Sequence, residues 1–226
     1  MQFLTRINEP TAIIDTEALH EPLTVAAYVI SGKENALIDM GHRSSAEIVP
    51  KELAALGIGK EDLNYLLPTR VHLDHFGSCG ALANLYPAAS VLVKPRGGPH
   101  VSDRARLVAG AMDLFGEELV KRFGTPDPID PKRVRAVSDD EEIALGNGLT
   151  LRAIWTPGHV PHHLCYFLRT AGHCLPGMRL EPNTRLFRFL FPQVRRRAST
   201  SRKRWRLLIV SGPSHPRDSA ALTSGS

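Results

Sequence analysis

Two histidines and an aspartate lie within four consecutive positions of this chain, in residues 69–75 with the sequence TRVHLDH. The three residues are His72, Asp74 and His75. Proteins bind divalent metals such as zinc with imidazole and carboxylate ligands, and the same groups can transfer protons. The apolar run at residues 65–68 predicts a buried strand directly before them. The cluster therefore predicts a divalent-metal site on a loop at the end of a strand.

A second histidine motif follows about 85 residues later, at residues 156–159 with the sequence TPGH. Pro157 and Gly158 predict a sharp turn after an apolar run, which would direct His159 to the space above a sheet. An isolated histidine is more often a structural residue than a ligand. Two ligand-type turns in this order make the metal-site interpretation more specific than either turn alone.

Together the two motifs resemble those of the metallo-β-lactamase superfamily, T-H-x-H-x-D-H followed by T-P-G-H. The resemblance implies an α/β protein, an αββα sandwich, that hydrolyses a small-molecule ester, thioester or lactone. It implies zinc, or another divalent metal such as iron or manganese, as the cofactor. His72 and His159 would bind a first metal, and Asp74 and His75 a second. Asp74 would also be the catalytic residue that handles the proton of the attacking water.

Two departures from the family pattern predict an impaired site. Arg70 stands where the signature has its first histidine, and a guanidinium has no lone pair to donate to a metal. At about 5 Å from a divalent ion and an effective dielectric constant of about 20, it would repel the ion by roughly 6–7 kcal/mol. Met178 stands where the family carries a bridging aspartate, and His215 could replace the last histidine or be incidental. We therefore expect substoichiometric metal.

Several neighbouring residues are expected to support the loops, either by structural contacts or by orienting the ligands. These residues are Asp39, Gly41, Thr69, His162 and His163.

The composition favours one moderately large domain. The chain has 226 residues, of which 42% are hydrophobic and 23% charged, and it contains no apolar run long enough to cross a membrane. The first residues lack a secretory apolar region. Its three cysteines show no C-x-x-C spacing, which predicts reduced thiols in a cytoplasmic protein.

The charges are distributed unevenly along the chain. Residues 169–226 contain 12 Lys and Arg but only 2 Asp and Glu, whereas residues 1–168 contain 16 and 21. We therefore divide the chain into a metallo-β-lactamase-like domain, residues 1–168, and a basic C-terminal segment of low regularity, residues 169–226. A shifted reading frame is one hypothesis for this segment. Its basic cluster at residues 195–206 could contact nucleic acid or an acidic membrane, but we favour a solvated tail, with no specific nucleic-acid partner and no membrane partner.

Short apolar runs alternate with amphipathic segments and predict an α/β order of elements. Helices are predicted at residues 44–57, 77–85 and 102–123, the last covering the sheet or lining the rim of the site. Strands are predicted at residues 24–30, 36–39, 65–68, 90–93, 134–137, 143–145, 149–155, 163–168 and 205–210.

Two functions remain open from the sequence. The first is a metallo-hydrolase whose activity Arg70 and Met178 reduce. The second is a catalytically inactive protein of the same fold that serves as an interaction module, in which Arg70 binds an anionic group.

Overall fold

Two β-sheets stacked face to face form the centre of the structure, a computed structural model that describes residues 3–17, 25–170 and 173–176. The larger sheet contains seven strands in the order β1 (Leu4–Asn8), β2 (Thr11–Asp15), β3 (Ala26–Ile30), β4 (Asn35–Ile38), β5 (Leu63–Leu67), β6 (Ser90–Val93) and β7 (Val134–Ala136). The smaller sheet contains β8 (Glu142–Gly146), β9 (Leu149–Trp155), β10 (Leu164–Leu168) and β11 (His173–Pro176). Strands β4 to β7 run parallel, and all other neighbours pair antiparallel.

Strand β5 shows why the centre of the larger sheet is so apolar. Successive side chains of a strand point to opposite faces, and both faces of this sheet are covered. Leu66 packs in the core beneath the helices, whereas Leu67 packs in the core between the sheets, and both are fully buried. A strand of this kind is a continuous apolar run, which is why its sequence predicted it correctly.

Six α-helices lie within the described residues, and the buried residues of the longer ones pack on the outer face of the larger sheet. They are α1 (Ile48–Ala55), α2 (Leu73–Phe76), α3 (Cys79–Leu85), α4 (Gly98–Ser102), α5 (Arg104–Phe115) and α6 (Glu117–Phe123). Among the described residues, the core between the sheets contains no helical residue. The described residues are therefore stacked in three layers, in the order helices, larger sheet, smaller sheet.

The predicted single helix at residues 102–123 is wrong, because the segment contains the last residue of α4 and two separate helices, α5 and α6. Asp103 interrupts it first and caps α5, since its carboxylate accepts a hydrogen bond from the backbone N–H of Arg106 at 3.0 Å. Gly116 interrupts it again with φ of 82°, a conformation that few other residues adopt. Periodicity detected the apolar face that these helices share but not the two breaks.

The helix predicted at residues 44–57 is shorter in the structure. A 3₁₀ turn at Arg43–Ser45 precedes α1, which begins at Ile48. Pro50 lies in the first turn of α1, where backbone N–H groups have no partner within the helix, so the proline costs no hydrogen bond there. The hairpin of β1 and β2 was not predicted at all.

The prediction of reduced cysteines is wrong for Cys165. Cys165 is disulfide-bonded, whereas Cys79 is a free, buried thiol. The inference of three reduced thiols, and with it the argument for a reducing compartment, does not hold.

Several sequence predictions lie outside the described residues. These are Met178, His215, the basic cluster at residues 195–206 and the strand at residues 205–210. Strand β11 follows the predicted boundary at residue 168, and that boundary stays a prediction. Within the part of the chain that the structure describes, no helix has the length and apolarity to cross a membrane.

The two-sided burial of β5 leads to a stability prediction. Leu66→Ala should lower the free energy of unfolding by about 2–5 kcal/mol, because it removes a fully buried side chain and leaves a cavity. Leu114→Ala is the matched control, since Leu114 is 71% exposed and should change stability by less than about 0.5 kcal/mol. Urea unfolding followed by circular dichroism measures both, and equal losses would contradict the assigned core.

Candidate active site

A buried carboxylate joins the ends of the adjacent parallel strands β4 and β5. Asp39 follows β4, has no exposed surface and adopts a left-handed conformation with φ of 57°. Its carboxylate accepts hydrogen bonds from the backbone N–H of Thr69 at 2.8 Å and from the Thr69 hydroxyl at 3.0 Å. It also lies 2.7 Å from Nδ1 of His75. These contacts fit the supporting role predicted for Asp39 and Thr69.

His75 lies between two carboxylates. Nδ1 is 2.7 Å from Oδ2 of Asp39, and Nε2 is 2.8 Å from Oδ2 of Asp74. Because an ionised carboxylate only accepts hydrogen bonds, both ring nitrogens must donate, which makes His75 an imidazolium. Burial alone would lower the pKa of His75, but the two carboxylates outweigh it and raise the pKa to about 9.

Arg70 is buried inside the cluster of predicted ligands. Its side chain is 3% exposed, and its Nη2 group donates a hydrogen bond to Oδ2 of Asp74 at 2.8 Å. Its Nε group donates to Nδ1 of His72 at 3.3 Å. One oxygen of Asp74 thus contacts both Arg70 and His75, and the two cations hold the pKa of that carboxyl below its usual range although burial alone would raise it.

His72 and His159, the two histidines predicted for one metal, do come together. Their ring centroids are 5.2 Å apart and their planes are nearly perpendicular. Because Nδ1 of His72 accepts a hydrogen bond from Arg70, neutral His72 carries its proton on Nε2. Burial and the nearby Arg70 lower the pKa of His72 to about 4 and shift the pKa of the more exposed His159 in the same direction. Both rings are therefore neutral at pH 7.

His162 and His163 hold neighbouring loops in place. Nε2 of His162 accepts a hydrogen bond from the backbone N–H of Val71 at 3.1 Å. Nδ1 of His163 lies 2.7 Å from the hydroxyl oxygen of Thr156. Burial is the main cause that lowers the pKa of both histidines to about 4, so both are neutral. Their contacts fit the supporting role predicted for them.

A mostly apolar cavity of about 190 Å³ opens beside His72. Val71, His72 and His162 line it on one side, and Leu107, Gly110 and Ala111 of α5 line it on the other. Sequence reasoning placed this helical segment near the rim of the site but named none of its residues. The amphipathic pattern was the available signal, although it does not tell which apolar side chains face a cavity.

His42 is a further histidine that sequence reasoning did not select. It is 3% exposed and stacks on Phe123 with ring centroids 4.1 Å apart. Neither of its ring nitrogens has a hydrogen-bond partner among the described residues. Burial lowers the pKa of His42 to about 4, and the charges of Asp74 and His75 also act on it. Its position after the strand-end residues Asp39 and Gly41 was the only hint in the sequence.

The donor atoms that a divalent metal would need are engaged in hydrogen bonds within the chain. Arg70 donates hydrogen bonds to Nδ1 of His72 and Oδ2 of Asp74, so these lone pairs are occupied. Both nitrogens of His75 carry protons. In the described part of the chain, no three or more His, Cys, Asp or Glu side chains are grouped to hold a metal. The described arrangement of predicted ligands therefore does not fit a divalent metal.

Comparisons with known proteins place this geometry in a family. The family model described as the metallo-beta-lactamase superfamily matches residues 20–177. Metallo-beta-lactamase fold-containing protein ST1585 of Sulfurisphaera tokodaii is 29% identical over 147 residues, which cover 63% of this chain and 52% of that protein. N-acyl homoserine lactonase AttM of Agrobacterium fabrum is 29% identical over 121 residues, which cover 52% and 40%.

Solved structures agree with these matches. The structure of the MIM-2 metallo-beta-lactamase is 30% identical, with a TM-score of 0.56 over 73% of this chain and 56% of that one. The predicted α/β metallo-β-lactamase fold and the resemblance on which it rested are confirmed. The described residues contain one of the two helix layers of the predicted αββα sandwich. The chain spans about half the length of the curated relatives it matches.

The contacts of Asp39 give a prediction of stability and its pH dependence. Asp39→Asn should lower the free energy of unfolding by about 3–5 kcal/mol at pH 6, because it leaves a buried imidazolium without one of its two partners. The pKa of His75 is raised above about 6.5, its value in an unfolded chain. Stabilisation from its charge is therefore fully present below pH 6.5 and is lost as the pH rises through about 9.

Urea unfolding at pH 6 and pH 9.5 measures the free energy of unfolding of wild type and of Asp39→Asn. The difference between these two free energies should be smaller at pH 9.5. Glu142→Gln is the control, because Glu142 forms an exposed ion pair with Arg169 and should contribute no more than about 1 kcal/mol. If the difference in free energy of unfolding stayed constant with pH, the charge of His75 would not contribute to stability.

Proposed function

The chain belongs to the metallo-beta-lactamase superfamily, and we propose from that premise that it hydrolyses an ester, a thioester or a lactone at the strand-end site. Among its relatives, AttM is named a lactonase, and a protein of Aspergillus fumigatus that is 28% identical over 140 residues is named an atrochrysone carboxyl ACP thioesterase. Both names describe cleavage of an acyl compound. This likeness supports the class of substrate and leaves the particular compound open.

The imidazole of His72 lines an apolar cavity and lies edge to face with the ring of His159, at 5.2 Å between centroids, and this arrangement is the observation that carries the proposal. An acyl substrate combines an apolar chain with a polar carbonyl. The cavity offers a place for the chain, and the two neighbouring rings offer polar groups, His72 from the cavity wall itself. Its volume of about 190 Å³ is below the range of roughly 300–1,000 Å³ usual for drug-sized ligands, which favours a short acyl chain.

The family typically holds divalent metals, mostly zinc, and such a metal supplies an activated water when bound. Because the described arrangement does not fit a metal, we assign the chemistry to side chains of this chain. Neutral His159 would accept a proton from the attacking water, and Nε2–H of His72 would donate a hydrogen bond to the carbonyl oxygen. The predicted catalytic role of Asp74 stays a prediction, since one of its oxygens contacts both Arg70 and His75.

The alternative of an anion-binding module finds less support in this geometry. It required the guanidinium of Arg70 to meet an anionic ligand. In the structure that group is 3% exposed and is paired with Asp74. A ligand anion would have to displace a carboxylate of the protein itself.

The first test is hydrolysis by the His159→Ala variant. Wild type should cleave at least one member of a panel of short-chain thioesters, aryl esters and lactones. His159→Ala should lower kcat/KM by about 100-fold, because it removes the proposed proton acceptor. Assays with added EDTA and with added zinc show whether activity depends on metal.

Lys60→Gln is the control for this test. Lys60 is exposed and precedes β5, whereas the site follows the opposite end of that strand, so the variant should retain wild-type kcat/KM. No hydrolysis of any member by wild type, with or without zinc, would reject the proposed function.

The second test fills the cavity from Gly110. A Cβ atom at this position would meet no atom within 4 Å, so a larger side chain has room to enter the cavity. Gly110→Leu should raise KM for a hexanoyl ester roughly tenfold more than KM for an acetyl ester. The leucine would exclude about two methylenes of the longer acyl chain from the cavity, and each buried methylene contributes about 0.8 kcal/mol.

Gly110→Ala is the matched variant for the second test. It should raise the free energy of unfolding by about 0.5–1 kcal/mol through better helix propensity in α5, with little change in chain-length preference. If Gly110→Leu changed KM equally for both esters, the cavity would not be the acyl site.

A further inference from the structure

Arg70 is a cation enclosed by groups that would otherwise surround a metal. Its guanidinium contacts Oδ2 of Asp74 at 2.8 Å and Nδ1 of His72 at 3.3 Å, and its side chain is 3% exposed. A guanidinium stays protonated in proteins, and its planar array of N–H groups suits a carboxylate and an imidazole acceptor at once. The residue that departs from the family signature is thus built into the centre of the site.

Arg70 also supplies a positive charge at this position without any added ion. A guanidinium stays protonated in proteins, and this one lies 2.8 Å from Oδ2 of Asp74. A divalent ion at the same place would be repelled by the guanidinium and would have to displace it from both Asp74 and His72.

We propose that the guanidinium of Arg70 takes the structural place of a divalent metal, so that this chain folds and holds Asp74 and His72 in position without one. The proposal goes beyond the proposed function, because it concerns what holds the site together. It stands whether or not the chain hydrolyses any acyl compound.

Zinc binding and thermal stability of the full chain test the proposal. Wild type, dialysed against zinc and passed through a desalting column, should retain less than about a tenth of an equivalent of zinc by mass spectrometry of the metal. Its Tm should be the same in EDTA and in zinc, because no metal binds the folded state. Retention of half an equivalent or more, with a Tm that zinc raises, would overturn the proposal without any variant.

Arg70→His is the informative variant, because it removes the internal cation and adds an imidazole beside His72. It should retain about one equivalent of zinc and show a Tm that zinc raises. Arg169→His makes the same chemical change at an exposed ion pair and should gain no zinc. If Arg70→His is folded by circular dichroism but gains no zinc, Arg70 is not what excludes the metal and the proposal fails.

Arg70→Lys covers the case in which Arg70→His does not fold. A lysine keeps the charge but cannot donate to Asp74 and His72 with the same planar geometry. This variant should still retain no zinc, and its Tm should fall below that of wild type. Zinc binding by Arg70→Lys would contradict the proposal, because a cation would remain at the position. The hydrolysis panel is a separate measurement, so failure of the proposed function would be recognised independently.

Discussion

The hydrogen bonds of the buried Asp39 carboxylate connect the main parts of the site. They join the end of β4 to Thr69 at the end of β5, and they fix one nitrogen of His75. Thr69 in turn accepts, through its backbone carbonyl, a hydrogen bond from the N–H of Leu164 in the second sheet at 2.7 Å. The contacts of one carboxylate thus link two neighbouring strands, and through Thr69 both sheets, to the loop that carries the chemistry.

Within this frame, Arg70 decides how the remaining polar groups are satisfied. Its hydrogen bonds to His72 and Asp74 engage the atoms that would otherwise bind a metal. The family fold is retained, while the groups that usually face a metal face a guanidinium instead. The neighbouring rings of His72 and His159 and the cavity beneath α5 remain available for an acyl compound. The proposed chemistry uses these two rings in their neutral form.

Sequence reasoning worked where one local signal sufficed. Strand β5 is a continuous apolar run because both its faces are covered, and the turns that carry His72 and His159 follow strand ends marked by proline or glycine. It failed in two other cases. A carboxylate cap and a single glycine break the 102–123 segment, although its apolar periodicity continues across both breaks. The disulfide of Cys165 depends on a second cysteine that the fold brings close, which spacing along the chain does not show.

By itself, the sequence determined the family, the order of the strands that were found and the residue types at the site, because these follow from motifs and periodicity along the chain. It also identified Arg70 as the residue that departs from the signature. Only the tertiary structure decided what Arg70 does, since its effect depends on which lone pairs lie within hydrogen-bond distance. A surface arginine could turn towards solvent, but this one is buried beside Asp74 and His72, and burial makes each of those contacts necessary.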